Sequence, residues 1–139
     1  EEAPEPKKYY HLSYAGAIIE CEYISNIELK GSIIAEEQLI ENLKTIGNYF
    51  ETREEAEKYL EYLKAKEVIK QDTKGFKPDW NNRDETKNWG YWNFYQNKPD
   101  YDYDYGAKRV EIFFRTREDL KESFEKHPED WKTYLTYEQ

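Results

Sequence analysis

Three aspartates alternate with tyrosines in PDYDYDYG, the stretch that spans residues 99–106. Alternate side chains of a β-strand share one face, so Asp100, Asp102 and Asp104 would form a row of carboxylates about 6.6–6.8 Å apart. Two steps along one DNA strand, at about 3.4 Å each, match this spacing. The row could therefore imitate a phosphate backbone and bind a basic partner. In the alternative interpretation it protects an edge strand from aggregation, while the tyrosines face the core.

An aromatic run, WGYWNFY, precedes the aspartate row along the chain. Its aromatic residues are Trp89, Tyr91, Trp92, Phe94 and Tyr95. Such rings most often lie in a core, but they also stack the bases of single-stranded nucleic acid. At the rim of a hairpin they suit a protein interface, where Trp and Tyr are enriched. We therefore take Trp89 and Trp92, together with the aspartate row, as the candidate partner-binding residues.

Catalytic and metal chemistry has little support in the sequence. A loop at 15–17 would place His11 opposite Cys21 in a hairpin, and a Cys–His pair can begin a nucleophilic site, but no third residue is recognisable that would orient it. One Cys and two His are too few for a four-ligand zinc site, and the aspartate row lacks the spacing of a calcium-binding EF-hand loop. We expect a non-enzymatic protein with no metal and no cofactor.

The charge and the composition narrow the class of protein. The net charge is −9, whereas proteins that bind nucleic acid normally carry a clustered basic surface. We therefore expect no direct binding of nucleic acid and a protein partner with a basic surface. Aromatic residues make up 17% of the chain, which predicts a folded core. No apolar run approaches the roughly 18 residues of a membrane span, and the single cysteine fits a reducing cytoplasm.

Local patterns predict where the strands lie. The charged stretch 1–8 predicts a flexible lead-in, followed by a single α+β domain over 9–139. Aromatic and β-branched residues around Ala15 and Gly16 predict a hairpin over 9–25. Two aromatic runs divided by QNKPD predict a second hairpin, and RVEIFF, at 109–114, predicts a further strand.

Capping signals predict the helices. Thr52 with Glu55 forms a capping box, and the apolar spacing that follows predicts a helix from about 52 to 69. Thr116 with Asp119 predicts a later helix, which Pro128 ends unless the proline opens another short one. A short helix is also expected in AEEQLIENLK, at 35–44.

The segments 46–60 and 110–124 align without a gap, and each carries Thr-Arg-Glu after an aromatic pair. Each segment also follows an aromatic hairpin. We interpret this as an internal duplication, with two hairpin-then-helix half-units at about 9–75 and 76–139 around a small shared core. Convergence is the alternative, because any junction between a strand and a helix favours Thr-x-x-Glu.

GNYFETREEA at 47–56, followed by FKPDW at 76–80 and a Tyr- and Trp-rich hairpin, resembles the small uncharacterised accessory proteins of Firmicutes phages and prophages. The resemblance covers about 46–127. It implies a phage protein, but that family has no settled activity or catalytic residues to carry over. Residues 26–45 look longer than the corresponding family segment.

The acidic charge and the resemblance together suggest a function. The hypothesis is a non-enzymatic phage or mobile-element accessory protein, in the cytoplasm of the host bacterial cell, that binds and blocks a host nucleic-acid-handling protein. Its mode would be that of an anti-CRISPR or anti-restriction inhibitor, with DNA mimicry as one variant. The alternatives are a single-stranded nucleic-acid-binding protein that uses the aromatic hairpin, and a structural or assembly protein of the virion. The oligomeric state and the identity of the partner stay open.

Overall fold

A computed structural model describes residues 7–23, 30–106 and 110–137, of which 30–35 are described by their backbone alone. The elements, in chain order, are β1 (Lys7–Leu12), β2 (Ile18–Tyr23), α1 (Lys30–Thr45), α2 (Arg53–Asp72), β3 (Lys87–Asn93), β4 (Lys98–Asp104), α3 (Arg117–Lys126) and α4 (Pro128–Thr136). The predicted α+β class is confirmed. None of the helices in these ranges is long and apolar enough to cross a membrane.

The chain divides into two compact units, residues 1–60 and 61–139. Their boundary lies inside α2, earlier than the predicted half-unit boundary near residue 75. The cluster of buried apolar side chains described below lies wholly within residues 61–139. A core shared by the two half-units stays a prediction.

The first unit begins with an antiparallel hairpin, in which Leu12 pairs with Ile18 across a loop at 13–17. The Ser13 hydroxyl accepts two loop amides, and Gly16 supplies the left-handed φ of 80° that the turn requires. Pairing extends to Lys7, so the strand begins two residues earlier than predicted. The rest of the predicted lead-in, 1–6, lies outside the described residues.

A short extended segment runs along β1 on the side away from β2. Phe50 exchanges two backbone hydrogen bonds with Tyr10, at 2.8 and 2.9 Å. The Asn48 side chain bonds both the amide and the carbonyl of Leu12, at 2.7 Å each. An amide side chain thus replaces the ladder bonds that a third strand would make. The predicted short helix before this segment is present but longer, since α1 begins at Lys30.

The predicted capping box at the start of α2 is present. The Glu55 amide donates to the Thr52 hydroxyl at 3.2 Å, and the Glu55 carboxylate accepts the amide of Glu51 at 3.3 Å. One of the amides that a helix start leaves unpaired, that of Glu55, is therefore satisfied, and the Glu55 carboxylate bonds the amide one residue before the cap instead of that of Thr52. The helix ends at Asp72, and Lys74 and Gly75, which follow, both adopt positive φ.

The second unit contains the second predicted hairpin, β3 and β4, with its turn at 94–97, earlier than QNKPD. The Asn93 carboxamide oxygen accepts the amides of Tyr95 and Gln96, at 3.0 and 3.1 Å. Asn97 takes the left-handed conformation, with φ of 52°. Asparagine chemistry at both ends of the turn therefore fixes its position.

RVEIFF is not a strand, and this prediction is wrong for the described residues 110–114. Phe114 makes one isolated bridge to Asn88, whose side-chain amide also donates to the Phe114 and Arg115 carbonyls, both at 3.3 Å. Ile112, Phe113 and Phe114 are all buried. A strand with one solvated face would expose alternate residues. Both sides of this segment are covered, so its apolar residues do not alternate with polar ones and do not identify a strand.

The core of the second unit forms around Trp131, which is 1% exposed. It contains Ile69, Ile112, Phe114, Leu120 and Trp131. Pro128 opens α4, the second of the two predicted outcomes, and places Trp131 on the buried face of that helix. The indole ring lies against Gly90 so closely that an added Cβ would be 2.5 Å from it. Glycine in the middle of β3 is therefore a packing requirement.

The two units place a hairpin, an extended segment and a helix start in equivalent positions. In each, the first hairpin strand bridges a phenylalanine that lies two residues before a helix-capping threonine: Tyr10 with Phe50, and Asn88 with Phe114. Tyr10 and Asn88 therefore hold equivalent places. This parallel is what the predicted duplication requires, although the duplication itself stays a prediction.

Candidate partner-binding face

The aspartate row lies on one face of the second hairpin together with two aromatic residues. Directly opposite partners share a face, and the register pairs Asp102 with Trp89 and Asp100 with Tyr91. We call Trp89, Tyr91, Asp100, Asp102 and Asp104 the aromatic–acidic face. The Trp89 indole donates to the Asp104 carboxylate at 3.0 Å, and the Trp89 and Tyr91 ring centroids are 5.9 Å apart. The candidate residues Trp89, Asp100, Asp102 and Asp104 therefore come together.

Two of these carboxylates cover the outer edge of β4. The backbone amide and carbonyl of Asn88 bond Phe114, so they do not bond Tyr103, the residue opposite Asn88 in the hairpin. Asn88 and Tyr103 are therefore a non-hydrogen-bonded pair, and the Tyr103 amide points away from β3. The Asp102 carboxylate accepts this amide at 2.7 Å. The Asp100 carboxylate accepts the Tyr101 amide, two residues earlier, at 2.9 Å.

Pro99 completes this edge. It has the same orientation as Tyr101 and Tyr103 and has no amide hydrogen to present, which is where an edge strand tolerates proline. The outward positions 99, 101 and 103 therefore offer no free donor to another strand. This geometry supports the edge-protecting interpretation of Asp100 and Asp102. It also leaves a second oxygen on the exposed Asp102 carboxylate, so the two interpretations are compatible.

The tyrosines that alternate with the aspartates do not all face the core. Tyr101 packs against the core cluster, as predicted. Tyr103 and Tyr105 are 52% and 49% exposed, so the prediction is wrong for both. The physical reason is that the core beneath the hairpin reaches Tyr101 but not the end of β4.

Trp92, the remaining candidate, lies on the opposite face, because its strand position has the other parity and pairs with Pro99. Tyr91 takes its place on the aromatic–acidic face, and strand alternation alone could have identified it. Partial burial raises the pKa of the Tyr91 phenol, and the charges of Asp100 and Asp102 raise it further. The phenol therefore stays neutral beside the carboxylates. Phe94 and Tyr95, in the adjoining turn, are both exposed.

His11 and Cys21 do not face each other. The loop is centred on Ala15, so Tyr9 pairs with Cys21, and His11 pairs with Ile19. The Tyr9 hydroxyl donates to the Glu36 carboxylate, and burial, followed by this bond, raises the pKa of the Tyr9 phenol. The predicted Cys–His pairing is therefore wrong, because the loop is centred one residue earlier than it required.

Sequence reasoning missed a partly buried polar cluster around Asp72. Its carboxylate accepts the Ser123 hydroxyl and a His127 ring nitrogen, both at 2.6 Å, and the Trp131 indole donates to Ser123 at 2.9 Å. The residue types are those of a hydrolase triad, but the order differs, since histidine must lie between serine and carboxylate to act as the base. Ser123 is 2% exposed. The cluster is a clamp that joins α2 to α3 and α4.

Within residues 7–23, 30–106 and 110–137, no group of three His, Cys, Asp or Glu side chains could hold a metal ion. Comparisons with protein-family models, with curated proteins and with solved structures find no match for the chain. The resemblance to phage and prophage accessory proteins therefore stays a prediction. The functional inference rests on the aromatic–acidic face and its surroundings.

Proposed function

We propose that this chain is a non-enzymatic accessory protein of a phage or mobile element, and that its aromatic–acidic face binds a basic surface of a host protein. The observation that carries the proposal is the presence of Trp89, Tyr91 and three aspartates on one face of a hairpin. Aromatic side chains are the usual anchors of protein interfaces, and the carboxylates complement Arg or Lys on the partner.

The geometry favours binding through side chains. Because the outer amides of β4 are covered or missing at positions 99–103, a strand added there would find no amide donor on β4. Asp102 is exposed, and its carboxylate keeps a second oxygen that a guanidinium can reach. Charges arranged in this way raise the association rate more than the final affinity, and the effect fades as salt screens it.

The class of partner follows from chemistry and from the resemblance together. A surface that binds phosphates is basic, so a nucleic-acid-handling host protein fits a row of carboxylates. The phage resemblance supports a host target and an inhibitory role of the anti-CRISPR or anti-restriction kind. Stoichiometric blocking of such a protein in the bacterial cytoplasm is the proposed mode of action.

The test begins with affinity capture from nuclease-treated lysate of a Firmicutes bacterium, followed by association rates measured with the purified partner. A D100N/D102N/D104N variant removes three charges and keeps the side-chain shape. The matched control, E122Q/E125Q/E129Q, removes the same charge from exposed positions on α3 and α4. We expect slower association and a flatter salt dependence for the first variant alone.

A second readout addresses the inhibitory role. The captured protein should lose its action on nucleic acid in proportion to the amount of chain added, reaching completion near equimolar ratio. Equal association rates for the two triple variants would refute the role of the aspartate row. Capture of a partner whose activity is unaffected would refute inhibition.

A further inference from the structure

The other side of β4 borders an open groove of about 490 Å³. Its lining residues are Thr86, Asn88, Tyr103, Tyr105, Arg115, Thr116, Arg117 and Glu118. Two exposed tyrosines and two arginines thus share one concave surface, and Glu118 is its one acidic member. None of these residues belongs to the aromatic–acidic face.

The cations of the groove are positioned by aromatic rings. The Arg115 guanidinium lies over Phe76, 5.0 Å from the ring centroid, and that of Arg117 lies over Tyr101 at 4.9 Å. Lys121 does not line the groove itself but lies over the same ring as Arg117, 4.9 Å from the Tyr101 centroid. Among the described residues, none of these three cations has a carboxylate within ion-pairing distance. They are ordered and available to an anion.

The aromatic members of the groove are suited to flat ligands. Tyr103 and Tyr105 meet edge to face, with ring centroids 5.6 Å apart, and about half of each side chain is exposed. Tyr103 lies in β4, and Tyr105 directly follows the end of that strand. Exposed aromatic residues on a sheet are what RNA-binding domains use to stack bases.

At the positions equivalent to those of the groove, the first unit carries acidic residues. The partner of the bridged strand residue is Glu20 in the first unit and Tyr103 in the second. The residue before the capping threonine is Glu51 in the first unit and Arg115 in the second. Residues 1–60 contain 6 Lys and Arg against 13 Asp and Glu, whereas residues 61–139 contain 15 against 17. The net charge of −9 therefore belongs mainly to the first unit.

We propose that this groove binds single-stranded nucleic acid, with bases on Tyr103 and Tyr105 and phosphates on Arg115, Arg117 and Lys121. Stacking on tyrosine with cations along the backbone is the chemistry of sequence-tolerant single-strand binders. The expectation of no direct binding rests on the charge of the whole chain and does not apply to this surface. The inference is independent of the proposed function, since it uses a different face.

The test is fluorescence anisotropy of a labelled oligothymidylate of about 10 nucleotides, within the site sizes of small single-strand binders. Three phosphate contacts predict a slope of log affinity against log salt of about −2. An R115Q/R117Q variant should lose about two-thirds of that slope. A Y103A/Y105A variant should keep the slope and bind more weakly, by a factor of roughly 5 to 150 for each lost stack.

The chain supplies its own control in R53Q. Arg53 follows the capping threonine of the first unit as Arg117 follows that of the second, and it also lies over a tyrosine ring, 5.6 Å from the Tyr10 centroid. R53Q should bind like the unmodified chain. Circular dichroism of every variant establishes that it is folded, and R115K/R117K, which keeps the charge, should retain the salt slope.

Three results would each overturn the proposal. The first is no binding by the unmodified chain at low salt, and the second is an equal loss for R53Q and R115Q/R117Q. The third is equal competition by duplex DNA or by polyglutamate, which would identify a general anion surface or an acidic-peptide site. Preferential binding of the single strand, lost only in the groove variants, would support it.

Discussion

The edge of β4 leads to the sharpest prediction, because two substitutions separate the two roles of its carboxylates. In D100A/D102A, the amides of Tyr101 and Tyr103 lose their acceptors. In D100N/D102N, an amide oxygen can still accept each bond, while the charge is removed. Both variants lose the same two charges and differ in whether the outer amides stay covered.

The structure sets the magnitude. A typical hydrogen bond contributes about 0.5–1.5 kcal/mol to stability, and these amides can bond water once uncovered, so each loss should lie near the lower end. Relief of repulsion within the row opposes that loss by a similar amount. We therefore expect the free energy of unfolding of D100A/D102A to fall by no more than about 1 kcal/mol. The larger effect should be on association, because two uncovered donors on an edge strand form a template for another chain.

The assay compares light scattering and elution volume over time at equal protein concentration, with unfolding by urea alongside. D100A/D102A should aggregate fastest, and D100N/D102N should behave like the parent. E122A/E125A, which removes two carboxylates from exposed helix positions, is the matched control for charge. Equal aggregation of the Asn and Ala variants would refute amide covering and assign protection to charge. A soluble Ala variant would refute edge protection altogether.

Three further predictions concern stability. Thr52→Ala and Thr116→Ala should each lower the free energy of unfolding by roughly 0.5–2 kcal/mol, measured in urea, because each removes a helix cap; no loss in either would contradict the capping geometry. Ser123→Ala should cost about 1–3 kcal/mol, since it leaves the buried Trp131 indole without its acceptor, whereas Ser123→Thr should cost less if its hydroxyl reaches the same partners. Burial, then nearby negative charge, raises the pKa of Tyr134 to about 12. The neutral phenol therefore contributes its full share of stability below about pH 10, the pKa of tyrosine in the unfolded chain, and this share is lost as the pH rises from about 10 to 12. Alkaline unfolding followed by circular dichroism should show that loss, and Tyr134→Phe should reduce it by the share of Tyr134, while other phenols with a raised pKa, such as that of Tyr9, keep theirs.

The elements with local signals could be predicted from the sequence. Thr52 and Thr116 were recognisable as caps because the threonine and the acidic residue three positions later interact within one turn. The hairpins were recognisable from aromatic runs with turn residues between them. The pairing register of a hairpin has no such local signal. A loop centred one residue earlier moves His11 away from Cys21, although the apolar pattern of the two strands is the same.

Long-range chemistry was beyond local reasoning. Asp72 and His127 are separated by 55 residues and meet because α3 and α4 pack where α2 ends. The strand prediction for RVEIFF failed for a related reason, since the Asn88 side chain takes over carbonyls that a ladder would have bonded. When a polar side chain bonds a segment in place of a neighbouring strand, the sequence of that segment shows no alternation of apolar and polar residues.

The equivalent register of the two units explains why net charge alone is a poor guide to this protein. The bridged positions fix where a hairpin, an extended segment and a helix start converge, and the same place carries Glu20 and Glu51 in one unit but Tyr103 and Arg115 in the other. Summing charge over the chain hides this reversal. Within the second hairpin the reversal continues across β4, where carboxylates lie on one face and tyrosines beside arginines on the other. A single short hairpin therefore presents two surfaces that attract opposite charges, and each can be altered without touching the other.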